Sequence, residues 1–201
     1  MHQQEDRNTV LRQELLVGTV QTVAVLGLEN TTTNAICRTS GVNFAYIYRI
    51  FADKEDLIAK AFAMVDLGLL NEILRNCAVL QHREIDCESR CRVLFAKCWD
   101  YLMKRPQELT FYVHYYYSAS FAKYSQVEHV KRYAGLFEKV KPAFPDTVDA
   151  ELVLHHIFNT LLGEAMRQAS KPGADNGSAE AKCFELIFSV VKNYVKQEQF
   201  N

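Results

Sequence analysis

Three of the six cysteines in this 201-residue chain fall on one helical face. Cys87, Cys91 and Cys98 stand at positions i, i+4 and i+11, which places them within about 40° of each other around a helix. Such a stripe is typical either of a thiol sensor for oxidants or soft metals, or of a core built from small apolar side chains. Packing is favoured, because no Cys-x-x-Cys pair accompanies them. In the absence of a signal peptide, the six are interpreted as free thiols in a reducing cytoplasm.

The histidines and carboxylates form no recognisable metal or catalytic pattern. Glu151 and His155 could meet on one face of a helix, but the paired Glu-x-x-His motifs of di-metal bundles are absent. Gly-rich phosphate loops, nucleophile elbows and zinc-protease motifs are absent as well. The sequence therefore predicts that the protein is not an enzyme and that it binds no metal and no cofactor.

Residues 111–117 carry six rings in seven positions, counting one histidine. These rings cannot all share one face of a helix, so some must face the core and others a cavity or solvent. Apolar walls with a few polar groups are typical of small-molecule sites, although an ordinary core has the same composition. Together with the preceding helix, the run leaves two interpretations open, an ordinary core or a small-molecule pocket lined by Phe95, Trp99, Met103, Phe111, His114 and Tyr115.

Helices are the elements that must position these residues. Apolar residues make up 49% of the chain and recur at three- and four-residue spacing, while four prolines and eight glycines are too few for an all-β protein. No apolar stretch approaches 18 residues, so a membrane-spanning helix is not expected. The fold class predicted is all-α, with three short helices over about the first 52 residues and roughly six longer helices after them.

Helix-breaking residues predict where these helices begin and end. The first helix ends at Gly27, the second at Ser40-Gly41 and the third at Ala52-Asp53, with Asp53 capping a fourth that runs towards Leu80. Later boundaries are expected at Pro106, at the start of a helix, and near residues 127 and 141. Asp146 or Thr147 is expected to cap a long helix to about Ser170. Residues 171–178 read as a loop, and a last helix is expected over about 179–199.

Residues 31–51 have the pattern of a helix-turn-helix. Thr32 can cap a helix of about one and a half turns, Gly41 can adopt the left-handed turn conformation, and Asn43 can cap the next helix. Val42, Ile36 and Cys37 are expected to be buried, and Ile47 and Phe51 are spaced to dock the second helix. In such a unit the second helix enters the major groove of DNA.

The block from Arg12 to Leu57 resembles the TetR (tetracycline repressor) family of bacterial transcriptional regulators. The residues that carry the resemblance are Arg12, Leu15, Leu16, Gly27, Thr31, Thr32, Ile36, Gly41, Val42, Tyr48, Phe51, Lys54, Glu55 and Leu57. The resemblance implies a helix-turn-helix DNA-binding domain over residues 1–53, here called the head, and a ligand-binding and dimerisation domain over residues 54–201.

Candidate DNA contacts lie around the second helix of the helix-turn-helix. Basic and hydroxyl side chains there could reach phosphates, Asn43 could pair with adenine, and Phe44 or Ala45 could touch a thymine methyl group. The full set is Thr32, Thr33, Arg38, Asn43, Phe44, Ala45, Tyr46, Tyr48, Arg49 and Lys54. Residues 1–60 hold six basic and seven acidic side chains, a net charge of −1, although DNA affinity draws on phosphate neutralisation.

The resemblance implies a ligand-responsive regulator, a repressor released from a pseudo-palindromic double-stranded operator by a small apolar or aromatic effector. It also implies a cytoplasmic homodimer with no membrane partner. The last two long helices spread apolar residues over more than half of their circumference, which predicts a dimer interface at Ile157, Leu161, Phe184, Phe188 and Val191. The alternatives are a TetR-like interaction protein that has lost operator binding and, less favoured, a thiol-based redox regulator.

Overall fold

A computed structural model describes residues 2–171, 173 and 175–196, with side chains from residue 7 onward. Within this part of the chain the protein forms ten α-helices and no strand, so the all-α prediction is confirmed. Short 3-10 helices occupy Phe44–Tyr46, Cys77–Gln81 and Lys141–Ala143. The α-helices are α1 (His2–Leu26), α2 (Thr33–Ser40), α3 (Ile47–Ile50), α4 (Lys54–Asn76), α5 (Cys87–Met103), α6 (Pro106–Tyr116), α7 (Ala119–Tyr124), α8 (Gln126–Val140), α9 (Ala150–Ala169) and α10 (Asn176–Val191). None of the described helices is both long and apolar enough to cross a membrane.

The caps predicted in the first third of the chain are confirmed. The Thr32 hydroxyl accepts a hydrogen bond from the Ala35 N–H at 3.1 Å, and the Asp53 carboxylate accepts one from the Asp56 N–H at 2.7 Å. Each bond satisfies one of the N–H groups that the first turn of a helix leaves unpaired. Pro106 begins α6, where its missing N–H costs nothing.

The prediction of three short helices in the head was wrong for the first of them. Helix α1 has 25 residues, because no breaker interrupts the chain before Gly27, whose φ of 76° ends the helix. The fourth helix was predicted towards Leu80 but ends at Asn76, and a 3-10 helix continues from there to Gln81.

Three later boundaries also differ from the prediction. Asp146 and Thr147 lie inside a turn closed by the Val148 N–H and the Pro145 carbonyl, so α9 is capped by Asp149 instead. The short helix α7 was not predicted; the Ser118 hydroxyl caps it by accepting from the Phe121 N–H at 3.2 Å. Helix α10 begins at Asn176, three residues before the predicted start, because Asp175 caps it, and it ends at Val191. The predicted continuation of this helix towards residue 199 was wrong, because residues 192–196 are not helical; residue 199 itself lies outside the described residues.

The chain divides into two compact units, each with its own core. The first contains Met1–Leu67 and Thr110–Val130, and the second contains Gly68–Leu109 and Lys131–Asn201. The first unit includes a second segment from the middle of the chain, residues 110–130. The two units therefore do not coincide with the predicted domains 1–53 and 54–201. Those two domains stay a prediction.

The core of the first unit is built around the fully buried ring of Phe62. Its centroid lies 4.9 Å from those of Tyr112 and Tyr115 and 5.3 Å from that of Phe121. Beside these rings, the fully buried carboxylate of Asp66 accepts a hydrogen bond from the Tyr112 hydroxyl at 2.9 Å. The aromatic run of α6 therefore supplies core to this unit, and a polar contact fixes α6 against α4.

In the second unit, α5, α9 and α10 pack together around Trp99, which is fully buried. Its indole N–H donates to the Asn176 side-chain oxygen at 2.9 Å and so joins α5 to the first turn of α10. At the surface of the same pair, Arg92 bridges Glu88 and Glu185 and lies 4.1 Å above the ring of Phe184.

Candidate nucleic-acid interface

Close contact between α1 and α2 sets the frame of the helix-turn-helix. A Cβ atom added at Gly18 would lie 2.6 Å from the Cβ of Ser40 and 3.0 Å from its Cα, so only glycine permits this approach. On α2, Ile36 is fully buried, while Cys37 is only partly buried. The predicted burial is therefore confirmed for Ile36 and incomplete for Cys37.

The turn after α2 has the predicted chemistry. Gly41 adopts φ 71°, and its N–H donates to the Cys37 carbonyl at 2.9 Å, which closes the helix. Val42 follows it into the core. The Asn43 side-chain oxygen then accepts from the Ala45 N–H at 2.9 Å and caps the recognition helix, which begins as a 3-10 helix and continues as α3.

Two buried residues dock the recognition helix and determine which of its side chains point outward. Ile47 and Phe51, four residues apart, are 0% and 3% exposed, as predicted. Phe44 and Tyr48 are exposed, at 43% and 55%, and their rings meet edge to face with centroids 5.2 Å apart. The outward surface is therefore rich in apolar and aromatic side chains.

Most of the predicted DNA contacts are accessible in this arrangement. All ten lie within the first unit, and a role in DNA binding stays a prediction for each. The exposed members are Thr32, Arg38, Asn43, Phe44, Ala45, Tyr48 and Arg49, and the half-buried members are Thr33, Tyr46 and Lys54.

The basic side chains of the set differ in how they are held. Among the described residues, neither Arg38 nor Arg49 forms an ion pair, so both guanidinium groups face solvent with their charge uncompensated by a contact. The Lys54 ammonium lies 3.4 Å from the Thr31 carbonyl oxygen and 3.7 Å from the Glu55 carboxylate. Lys54 therefore links the start of α4 to the segment that precedes α2.

A compact set of polar contacts joins the end of the recognition helix to α4. The Asp56 carboxylate accepts from the Ala52 N–H at 3.0 Å and from the Lys60 ammonium at 2.7 Å. Burial acts to raise the pKa of Asp56, but these two hydrogen bonds outweigh it and hold the pKa below its ordinary value. Arg12 and Lys60 also lie 5.1 and 5.7 Å from the ring centre of Phe51. The recognition helix is thus anchored at both ends.

The six residues predicted to line an effector pocket do not share one environment. Phe95 and Trp99 stack with centroids 5.9 Å apart in the second unit, and Phe111 and Tyr115 stack at 6.2 Å in the first. His114 is exposed and Met103 is half-buried. A common pocket for these residues stays a prediction.

The first unit contains a cavity of about 160 Å³ that the sequence did not predict. Tyr115 is the member of the predicted pocket that lines it. The cavity is smaller than the sites that bury drug-sized ligands, and it could hold only a small molecule. Its walls are Leu28, Glu29, Lys54, Glu55, Ile58, Tyr115, Ser120 and Tyr124.

The cysteine stripe is placed where packing, not reactivity, is favoured. Cys87 and Cys98 are buried, and Cys91 is partly buried. Burial raises the pKa of Cys98 to about 12 and that of Cys91 to about 12, with the neighbouring Cys87 adding to the rise in Cys91. Because the thiolate is the reactive form of cysteine, the raised pKa of Cys91 and Cys98 makes these two thiols less reactive at neutral pH. In the described part of the chain no three His, Cys, Asp or Glu side chains are grouped to hold a metal ion.

Four of the five predicted dimer contacts lie in the core of their own chain. Leu161, Phe184, Phe188 and Val191 are between 2% and 7% exposed, whereas Ile157 is half-buried. The exposed apolar side chains on the same two helices are Leu152, at 66%, and Leu186, at 52%. A dimer through α9 and α10 stays a prediction, and Leu152, Leu186 and the half-buried Ile157 are among the apolar side chains that could form it.

The buried carboxylate of Asp66 was not predicted from the sequence, although its position on α4 indicated it. Asp66 stands four residues after Phe62 on the apolar face of α4, where a carboxylate needs a partner. Its partners come from distant segments: the Tyr112 hydroxyl, and the His129 ring nitrogen Nδ1, which lies 3.0 Å from both carboxylate oxygens. The unusual position was visible in the sequence, but the partners were not.

The helix-turn-helix is a structural feature shared by a class of proteins that bind DNA through a small helical unit. Residues 15–61 match the family model described as bacterial regulatory proteins, tetR family. Comparison with the curated proteins finds no match.

Solved structures share the fold over nearly the whole chain. A TetR family transcription regulator from Marinobacter aquaeolei VT8 is 21% identical with a TM-score of 0.73, covering 98% of this chain and 100% of that one. The fatty acid degradation regulator FadR from Bacillus halodurans is 18% identical with a TM-score of 0.67, covering 88% and 94%. The regulator FadR from Bacillus subtilis in complex with stearoyl-CoA is 17% identical with a TM-score of 0.66, covering 88% and 97%. The resemblance to the TetR family is therefore confirmed, in sequence for the head and in fold for the chain.

Proposed function

We propose that this protein is a DNA-binding transcriptional regulator that acts as a homodimer and is released from its operator by a small effector. The observation that carries the proposal is the helix-turn-helix: Ile47 and Phe51 anchor the recognition helix, and Phe44, Tyr48 and Arg49 are exposed beside them. In a two-fold dimer, two such helices would enter successive major grooves about 34 Å apart. The match of residues 15–61 to the tetR family model supports the same function.

Repression relieved by a small apolar or aromatic molecule is the finer part of the proposal. A solved structure of this fold is a complex with stearoyl-CoA, a ligand with an apolar tail, which supports an apolar effector. Helix α4 starts directly after the recognition helix and continues as one helix from Lys54 to Asn76 through the boundary of the two units. It is the element through which an effector could alter the spacing of two recognition helices, provided that the effector prefers one of the two states.

The test is a binding selection from a random pool of duplex DNA, followed by a salt titration of the enriched duplex. We expect affinity to fall steeply with salt, because phosphate contacts release counterions. Arg49→Ala should lower the slope of log affinity against log salt by about one unit, and Lys54→Ala should do the same if its ammonium turns towards a phosphate. Lys97→Ala, an exposed residue of α5, is the matched control and should leave the slope unchanged.

A second function, an interaction protein without an operator, is favoured by one observation. Residues 1–60 have a net charge of −1, which is unfavourable for a phosphate backbone. If the pool yields no enriched duplex at low salt while the protein is folded and dimeric, DNA binding is refuted and this second function is supported.

A further inference from the structure

The N-terminal part of the recognition helix, the part that meets base edges in a helix-turn-helix, carries unusual side chains. Phe44, Ala45 and Tyr48 are all exposed, and two of the three have no hydrogen-bonding group in the side chain. We call these three residues the apolar reading cluster. Phe44 and Tyr48 hold one another through the edge-to-face contact at 5.2 Å, so the phenylalanine ring is positioned while remaining 43% exposed.

Three residues near this cluster could read bases by hydrogen bonding, but each is restrained by another contact, lies away from the N-terminal part of the helix or is partly buried. The Asn43 side-chain oxygen already accepts from the Ala45 N–H at 2.9 Å, which restrains the amide from turning into the bidentate arrangement that adenine requires. Arg49 is the third of the four residues of α3, at the C-terminal end of the recognition helix, where a phosphate contact is the expected role. Tyr46 is half-buried.

An exposed apolar cluster has one chemical partner in the major groove. Of the four bases, thymine alone presents a methyl group there, whereas the other base edges present hydrogen-bond donors and acceptors. A phenylalanine ring placed against a donor or acceptor would strip it of water without replacing the hydrogen bond, which is unfavourable. The same ring against a methyl group removes apolar surface from water on both sides.

We propose that the apolar reading cluster recognises thymine methyl groups, so that each operator half-site contains thymine where Phe44 and its neighbours meet the groove. This inference rests on the proposed function, since it assigns the base chemistry read by the same helix. It predicts that specificity depends on a methyl group, not on an amide or guanidinium hydrogen bond.

Uracil provides the test, because it differs from thymine only in lacking the C5 methyl group and pairs with adenine in the same way. In the duplex enriched from the random pool, each thymine is replaced by deoxyuridine in turn, and the dissociation constant is measured by fluorescence anisotropy. We expect affinity to fall about fourfold at one or two thymines of each half-site, the effect of losing one buried methyl group. Other thymines should tolerate the replacement.

Variants of the protein identify the side chain responsible. Phe44→Ala should bind the thymine duplex more weakly and should no longer distinguish it from the uracil duplex at the sensitive position. Phe44→Gln, similar in length and polar, gives the same test if the alanine variant fails to fold. Val25→Ala, an exposed apolar residue of α1, is the control and should keep the full sensitivity.

The outcomes separate this inference from the proposed function. If the pool yields no enriched duplex, the proposed function fails. If a duplex is enriched but every uracil replacement leaves the wild-type affinity unchanged, the methyl inference is overturned while DNA binding stands. An equal loss on uracil replacement in wild type and in the Phe44 variants overturns it as well.

Discussion

Asn43 has a structural role in the recognition helix. Its side-chain oxygen caps the helix by accepting a hydrogen bond from the Ala45 N–H at 2.9 Å. We expect Asn43→Ala to lower the free energy of unfolding by about 1 kcal/mol, the usual effect of removing an N-cap. Asn43→Ser should keep most of the stability, since a serine hydroxyl can accept the same hydrogen bond. Urea denaturation of the three proteins measures the difference.

The comparison of Asn43→Ala with Asn43→Ser also tests whether Asn43 reads a base. If the serine variant loses as much stability as the alanine variant, the capping bond contributes little. Relaxed discrimination at one base pair, by about 1–3 kcal/mol, in the well-folded serine variant would identify Asn43 as a base reader.

The buried cysteines offer a second test at the scale of single residues. Burial raises the pKa of both Cys98 and Cys183 to about 12, so the protonated thiol predominates at pH 8. We expect iodoacetamide to label both at a small fraction of the rate seen in the urea-unfolded chain, with the rate rising as pH rises. Mass spectrometry of tryptic peptides after a short pulse gives each rate. Labelling in the folded protein as fast as in the unfolded chain would instead support a thiol sensor.

At the scale of elements, the packing of α1 on α2 depends on Gly18. A methyl group there would meet the Ser40 Cβ at 2.6 Å and its backbone at 3.0 Å, so the two helices would have to move apart. We expect Gly18→Ala to destabilise the protein by about 1–3 kcal/mol despite the better helix propensity of alanine. Thermal unfolding followed by circular dichroism measures it.

Gly135 of α8 is the matched control for Gly18. It is also a glycine within a helix, but a Cβ atom there meets nothing within 4 Å. Gly135→Ala should therefore be neutral or should stabilise by up to about 1 kcal/mol. A Gly18 variant as stable as the Gly135 variant would show that α1 and α2 can separate without loss.

Local chemistry determined which helix boundaries could be predicted from sequence. The helix caps were predicted correctly at Thr32, Asn43 and Asp53. Each cap requires only a side-chain oxygen and a backbone N–H two or three residues away. The start of α9 was misplaced because two residues of the right type, Asp146 and Asp149, compete for the cap. The turn closed by Pro145 and Val148 decides between them, and it is not visible as a pattern of residue types.

The candidate sites also differ in how well they could be predicted from the sequence, according to whether they lie within one short segment or between distant segments. The outward residues of the recognition helix could be predicted from sequence, because a helix-turn-helix is a short segment whose inner face is marked by Ile47 and Phe51. The cavity of the first unit could not be predicted, because its walls come from three segments, represented by Leu28, Lys54 and Tyr124, that approach one another only in the folded chain. Composition indicated an aromatic core, but it could not distribute the rings between the two units.

For the whole molecule, the surface of α9 and α10 carries the prediction of a homodimer. Leu152 and Leu186 are 66% and 52% exposed, and large apolar side chains at such exposure favour association. In a two-fold interface one substitution acts twice, so Leu186→Glu should yield a folded monomer. Sedimentation at micromolar concentration should give about 46 kDa for the wild type, twice the 23.1 kDa of one chain, and about half of that for the variant.

Two further variants separate loss of the interface from loss of the fold. Phe188→Glu places a charge at a side chain that is 7% exposed within its own chain, so we expect it to unfold the protein rather than dissociate a folded dimer. Val25→Glu adds the same charge to α1, at a side chain that is 74% exposed, and should remain dimeric. A wild-type chain that sediments at 23.1 kDa would refute the homodimer, and with it the binding of two operator half-sites by paired recognition helices.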